Sequence, residues 1–540
     1  MTAIRFGLRL GRWGPLGFSF LTFASSLIQA VGFYQIAGHT AASRAAFAQS
    51  MSQLAAQLTF ILPPPAGLST VGGYVEWRAF GGLAILFGVW ALVSGSGATR
   101  GDEERGLVEA VLASGVTRSR WLASRVIGYA AMALIAALAG GLGLVAGVAV
   151  GGESINLGPV VEICVALAAL GLSCYSLTVL IAQVVGARVA TAAAGVVLLA
   201  LFLVNRLSQT FTWLAAWRWI SPFHYYELNQ PLAPGGAFDA RAALTMLGIA
   251  TVGAAVAAVA FEWRDLGAPL VRWPSRRSPA GYEASRSPLW RIPVVRGLYE
   301  RRAGLATWAV ALAALAVLFV YLTKTVLQPL LSIPTLSQFF GAHAGGQLFT
   351  TFLGYIWLTF AQLLFAAFAI TQVARWSAED SDGRLEVILS TPRSRASVVV
   401  ERAVALTLGA LLVATASGLA VGLAAHNQAV DINRERLAEG TLLLVPFALV
   451  FAAAGAVLAA WNPRAAVGLL GGLAFASYLL DELGPLFKWP TWVQDLSAFK
   501  LFGTPLSSGV DRGGLAIMIV IILVGFGASI LLMERRDVGA

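Results

Sequence analysis

A chain of 540 residues with 58% hydrophobic and only 12% charged residues lies far from soluble proteins, in which roughly a quarter of residues are charged. This balance excludes a water-soluble globular domain and predicts an all-α polytopic membrane protein. The net charge of +10 does not point to nucleic acid, because the arginines lie between long apolar runs and form no single basic face.

A spanning helix needs roughly 20 largely apolar residues. In the first half that rule predicts spans at about 13 to 37, 79 to 98, 122 to 150, 160 to 185, 189 to 206 and 241 to 261. The first follows Arg5, Arg9 and Arg12, as a signal peptide would, but it is too long for a signal h-region and reads as a retained span. The second half gives about 304 to 326, 348 to 374, 398 to 425, 439 to 461, 465 to 486 and 512 to 533. In both halves the apolar pattern fades gradually after the fifth span.

Basic residues fix an orientation. With the N-terminus inside, the inner side receives Arg5, Arg9, Arg12, the cluster from Arg100 to Arg125, Arg188, the cluster from Arg264 to Arg302, that from Arg375 to Arg402, Arg464, Arg535 and Arg536. The lysines Lys324, Lys488 and Lys500 fall outside, as do His39, His224, His343 and His426. The positive-inside rule therefore predicts both termini inside, in the plasma (inner) membrane, with two six-span units as a parallel repeat. The units are residues 1–265 and 296–540, joined by a Pro- and Arg-rich cytoplasmic linker, 266–295.

The linker's end, Arg296 to Arg302, resembles Arg5 to Arg9, and both read either as short amphipathic helices at the inner interface or as solvated basic flanks. Outside, a long loop from Gly38 to Arg78 carries Pro63, Pro64 and Pro65, and its counterpart, Gln328 to Gln347, is shorter. Segments 211–232 and 487–506 hold Trp213, Trp217, Trp219, Trp489 and Trp492, which suits an interface belt or a partly re-entrant hairpin.

One segment occurs twice. Asp102, Glu103, Gly106, Glu109, Leu112, Arg118 and Arg125 match Glu379, Asp380, Gly383, Glu386, Leu389, Arg395 and Arg402 at a constant spacing of 277. Ser221 and Phe223 also pair with Ser497 and Phe499, and Glu262, Arg264 and Asp265 pair with Glu534, Arg536 and Asp537. Each copy of the duplicated segment follows a second span. Leu107, Val108, Val111 and Leu112 share a helical face, as do Leu385, Ile388 and Leu389. Acids lead and Arg118 or Arg395 follows, an order that suits the dipole of one short amphipathic helix on the inner surface. Two equal surfaces imply a partner presenting two equal sockets.

The pattern Glu, x, x, Gly, x, x, Glu, then an apolar stripe and an Arg, resembles the coupling-helix region of ABC-2 type exporter permeases. The chain is most similar in plan to the fused permeases of actinobacterial drug and polyether-antibiotic (tetronasin-type) exporters. The resemblance implies an elbow helix before each first span, re-entrant outer helices, and one ATPase subunit docked on each coupling helix. It places the family's acids at Glu103 or Glu104 and Asp380, then at Glu109 and Glu386, with Glu379, Gly106, Gly383, Arg118 and Arg395 completing the partner-binding set. Ser381 and Pro392 stand where the first copy has Glu104 and Gly115, so the two copies are unequal.

None of the three lysines follows a Gly, so a P-loop is absent from this sequence. An ATP-driven reading therefore needs two copies of a separate ATPase, which would hold ATP and Mg, while this chain binds no cofactor or metal and has no catalytic residue. Cys164 and Cys174 lie in apolar stretches without metal or disulfide spacing. Candidates for the path of a hydrophobic or amphiphilic drug-like substrate are Gln29, Phe33, Gln183, Asn205, Phe360, Gln362 and Phe365. The rival reading is an ion-coupled secondary transporter of the twelve-span type, which the scarcity of intramembrane charge disfavours.

Overall fold

The structure, a computed structural model, describes residues 13–57, 65–208, 212–271, 292–331, 348–381, 383–430, 432–486 and 489–536. Regular structure among them is helical, with no strand. The chain divides into two compact units, Met1–Ala280 and Gly281–Ala540. The long helices of the first are α1 (Trp13–Ala37), α2 (Val71–Glu104), α3 (Arg118–Val150), α4 (Leu157–Val184), α5 (Ala187–Leu207) and α6 (Ala240–Trp263). Those of the second are α7 (Arg302–Leu331), α8 (Leu348–Ser381), α9 (Arg395–Asn427), α10 (Arg434–Trp461), α11 (Pro463–Leu486) and α12 (Arg512–Arg535).

Among the described residues, 11 helices are long and apolar enough to cross a membrane, against the twelve expected. The twelfth expected span falls on α11, of which Ala465–Asp481 is a shorter apolar helix among the described residues. The protein is a multi-pass, all-α membrane protein. The N-terminal Arg5 to Arg12 stretch, Pro63 and Pro64, residues 272–291 of the linker, residues 332–347 and Asp382 lie outside the described residues.

Starts of the long helices are written in the sequence. Thr117, Asn156, Asp239, Ser394, Asn433 and Asp511 each accept a hydrogen bond from a first-turn backbone N–H of the helix they precede. Packing follows the small residues. A methyl on Gly143 would lie 2.1 Å from Phe23 O of α1, and one on Gly141 would lie 2.8 Å from Cys164 Sγ of α4. The Gly-rich run in α3 thus lets two neighbours approach closely.

Helix α2 begins eight residues before the predicted span, inside the expected outer loop. Glu76 and Arg78 hid that start from a hydropathy rule, because both fall within a π-turn, Glu76–Phe80, that continues the helix. The same loop also contains a helix, Ala41–Gln57. The tryptophan-rich segments divide into exposed and inward-packed parts. Trp213, Trp217, Trp219 and Trp492 are exposed, whereas the short helices Pro222–Glu227 and Ala498–Phe502 pack inward. Tyr226 Oη donates to Phe80 O at 3.1 Å, and Phe499 packs against Phe447 with ring centroids 5.1 Å apart. Ahead of α7, Pro293–Glu300 is helical and packs on α9.

Candidate functional site

The duplicated segment is a joint between helices. In the first unit α2 passes through a second π-turn, Gly97–Gly101, and ends at Asp102–Glu104. Gly106 then adopts φ +70°, a left-handed conformation that costs other residues roughly 1–2 kcal/mol, and a new helix, Leu107–Ala113, begins. In the second unit α8 runs to Ser381, Gly383 takes φ +71°, and Arg384–Leu389 follows.

This geometry corrects the expected use of the helix dipole. The acids sit at the C-terminal ends of α2 and α8, and Arg118 and Arg395 are the first residues of α3 and α9. Each charge therefore lies at the unfavourable end of its helix, and specific partners hold it there.

Those partners repeat between the units. Arg125 pairs with Asp102, and Arg402 Nη2 lies 2.7 Å from Glu379 Oε2. Arg264, just past α6, pairs with Glu103, and Arg536, just past α12, lies 2.5 Å from Asp380 Oδ2. Arg118 Nη1 donates to the carbonyls of Phe261, Glu262 and Arg264 at 2.9, 3.3 and 2.6 Å. Arg395 Nη1 donates to those of Met533, Glu534 and Arg536 at 2.7, 3.1 and 2.5 Å. The last carbonyls of a helix have no partner within it, so each arginine caps α6 or α12 and fastens it to the start of α3 or α9.

The predicted partner-binding residues thus divide into two sets. Glu103 is buried, Asp380 and Glu379 are partly buried in ion pairs, and Arg118 and Arg395 face the sixth helices of their units. Glu104, Glu109 and Glu386 are exposed, beside buried Val108 and Leu385, which root the short helices in each unit.

Beneath this common plan the joints differ. Arg100 is 3% exposed; its Nε donates to Ala182 O at 2.7 Å, its Nη2 to Val185 O at 2.8 Å, and its Nη1 to Glu103 Oε2 at 3.1 Å. Gln183 Oε1 accepts from Arg264 Nε at 2.7 Å. Ser377 and Ala459 occupy these two positions in the second unit. The Arg264 and Glu103 side chains are 1% and 4% exposed, against 26% and 10% for Arg536 and Asp380. A void of about 30 Å³, the size of one water, lies beside Trp376, Asp380, Ala459 and Arg536.

Arg100 and the two post-helical arginines were not among the predicted site residues. Arg100 has no counterpart in the second copy, so the repeat passes over it. Arg264 and Arg536 did carry a signal, their matched spacing, but nothing in the sequence places them on acids so far away.

The proposed path residues fall into separate clusters. Gln29 accepts from Tyr74 Oη at 3.2 Å, and Phe33 packs with Tyr34, Phe47 and Tyr74. Gln183 belongs to the joint. Asn205 donates to Glu227 Oε1 at 2.6 Å, beside the buried Arg206–Glu227 pair. On α8, Gln362 and Phe365 are buried, and Phe360 is half exposed against Phe319.

Two units of apolar helices, each with a polar joint at one end, define a multi-pass membrane protein. The model of the family described as "Multidrug efflux system permease Rv1217c, C-terminal domain" matches residues 14–262 and 297–532. The match takes in most of both units, and the chain belongs to this family of efflux permeases. No match is found among curated proteins.

Proposed function

We propose that the chain is the membrane-spanning permease of an ATP-driven exporter of hydrophobic or amphiphilic compounds, with two copies of a separate ATPase docked on the duplicated joints. The fused ABC-2 plan, both termini inside and α11 as a twelfth span belong to this reading. The observation that carries it is the repeated joint. At one end of each unit a short helix with an exposed acid joins two spans, and arginines fasten the ends of both spans to the sixth helix, so that a force on the short helix reaches the spans.

Glu104, Glu109 and Glu386 are the docking acids, offered to basic groups of the partner. Glu103, Asp380, Arg118 and Arg395 transmit the movement inside each unit. Co-purification of the full-length chain with an ATPase subunit tests the reading directly. Recovery of transport-competent protein without one would overturn it.

One observation favours ion coupling. Glu227 is largely buried and lines a cavity of about 30 Å³ with Glu76, and burial pushes the Glu227 carboxyl up to about 7 despite the opposing pull of Arg206. Both acids nevertheless have local structural work: Glu76 Oε2 accepts Leu232 N–H at 2.9 Å, and Glu227 Oε1 lies 2.6 Å from Arg206. Collapse of the proton gradient at constant ATP separates the readings, since the ATP-driven exporter keeps working.

A further inference from the structure

Glu76 has no acidic counterpart in the second unit. The repeat spacing places Leu353, Phe502 and Gly503 at the positions of Glu76, Tyr226 and Glu227, and both Leu353 and Phe502 are fully buried. The shared plan is thus built in one unit with apolar residues where the other has acids. A buried acid that the plan can do without points to a use of its own.

In the first unit Glu76 is 8% exposed, near the start of α2 and at the end remote from the joint. Its Oε2 accepts Leu232 N–H at 2.9 Å, with Ala233 N–H beside the carboxyl. Its Oε1 has no hydrogen-bond partner among the described residues. Backbone N–H groups do not cancel a full charge, and a buried carboxylate is costly unless it is paired. Arg78, the nearest basic residue in sequence, is exposed, and Arg206 is taken by Glu227 at 2.6 Å. Residues 58–64 and 209–211, which lie outside the described residues, include no charged residue that could pair with Glu76.

The cavity that Glu76 and Glu227 share holds about 30 Å³, room for one occupant the size of a water. Tyr226, Asn229 and Gln230, all oxygen-bearing, also line it, and no basic residue is among its lining. Oxygen donors suit a hard cation. With Glu227 balanced by Arg206, the site carries one uncompensated negative charge, which matches a monovalent ion. Among the described residues no group of three His, Cys, Asp or Glu forms, so the donor set is not that of a zinc or calcium site. The volume leaves no space for the waters that magnesium retains.

We infer that this cavity binds one dehydrated sodium ion, with Glu76 Oε1 as its anionic ligand. The ion ties the π-turn of α2 to the segment after Pro222–Glu227, where Leu232 N–H already meets Glu76. It belongs to the first unit alone, and its binding does not depend on how transport is powered.

The test is equilibrium binding of radioactive sodium to the purified full-length protein, without ATP or an ion gradient. Wild type binds one sodium per chain, displaced by unlabelled sodium chloride and not by choline chloride. Glu76→Gln, and Glu76→Leu, which installs the residue of the second unit, each weaken binding at least about tenfold, the loss that even an indirect ligand contact causes in metal sites. A second readout needs no variant: amide hydrogen exchange of wild type over residues 226–236 is slower in sodium chloride than in choline chloride of equal ionic strength. No binding by wild type above the choline background would mean that the cavity holds water or that Glu76 keeps its own proton, and would overturn the proposal. Binding unchanged in both variants, or exchange over residues 226–236 indifferent to sodium, would place the ion elsewhere and overturn it too. Any of these results leaves the exporter reading standing.

Discussion

Arg264 closes the most buried ion pair of the protein's two joints, on Glu103, and Arg536 makes the looser equivalent on Asp380. Removing one partner of a buried pair costs up to about 3–5 kcal/mol, less here because Glu103 keeps Arg100, whereas a partly exposed partner recovers hydration. Arg264→Ala should therefore lower the thermal unfolding midpoint of the purified protein much more than Arg536→Ala. Equal losses would contradict the difference in burial. A second residue-scale test uses pH. The hydrogen bond from Arg44 holds the Glu153 carboxyl below the usual carboxylate range, against the opposing effect of burial. A depressed carboxyl stabilises the fold above its unfolded value, near 4.5, and that contribution fades as pH falls through the lower folded value. Glu153 is more than a third exposed, so screening keeps the effect below about 1 kcal/mol. The stability difference between wild type and Glu153→Gln should be present at neutral pH and vanish as pH falls below the usual carboxylate range.

At the scale of elements, Gly106 and Gly383 separate a spanning helix from a short one. Both have left-handed φ angles, near +70°, in which a Cβ costs roughly 1–2 kcal/mol. At Gly383 a Cβ meets nothing within 4 Å, so Gly383→Ala isolates that backbone cost. The variant should fold but lose transport, because the backbone then favours straightening the turn; unchanged transport would show that the turn is not needed. The duplication was legible in the sequence, since Gly, the acids and the following Arg recur at one spacing. The roles of the charges were not. Charge order pointed to a single short helix with a satisfied dipole, but the left-handed glycine divides the segment and gives the acids to one helix and Arg118 or Arg395 to the next. Likewise, the start of α2 was concealed by Glu76 and Arg78. A hydropathy rule penalises these charges, and for Glu76 the fold supplies a backbone N–H from Leu232, more than 150 residues away.

At the scale of the whole molecule, the family match accounts for both units, and their shared plan makes the differences informative. The first joint is stiffened by Arg100 and Gln183; the second has Ser377, Ala459 and a water-sized void in their place. Arg100→Ser, which gives the first joint the residue of the second, should loosen it. The expected readout is faster amide hydrogen exchange over residues 100–118, with little change over residues 377–395. Equal exchange in wild type and variant would deny Arg100 that role.

The central claim is that the exposed acids of the two joints receive an external ATPase while the buried charges carry its motion to the spans. The direct measurement is ATP-dependent export in proteoliposomes containing the permease and its co-purified ATPase, comparing wild type with Glu104→Ala, Glu109→Ala and Glu386→Ala combined. These side chains are exposed, so the fold should survive. The account predicts that ATP hydrolysis persists while export falls at least tenfold. Export at the wild-type rate with all three acids removed would contradict it.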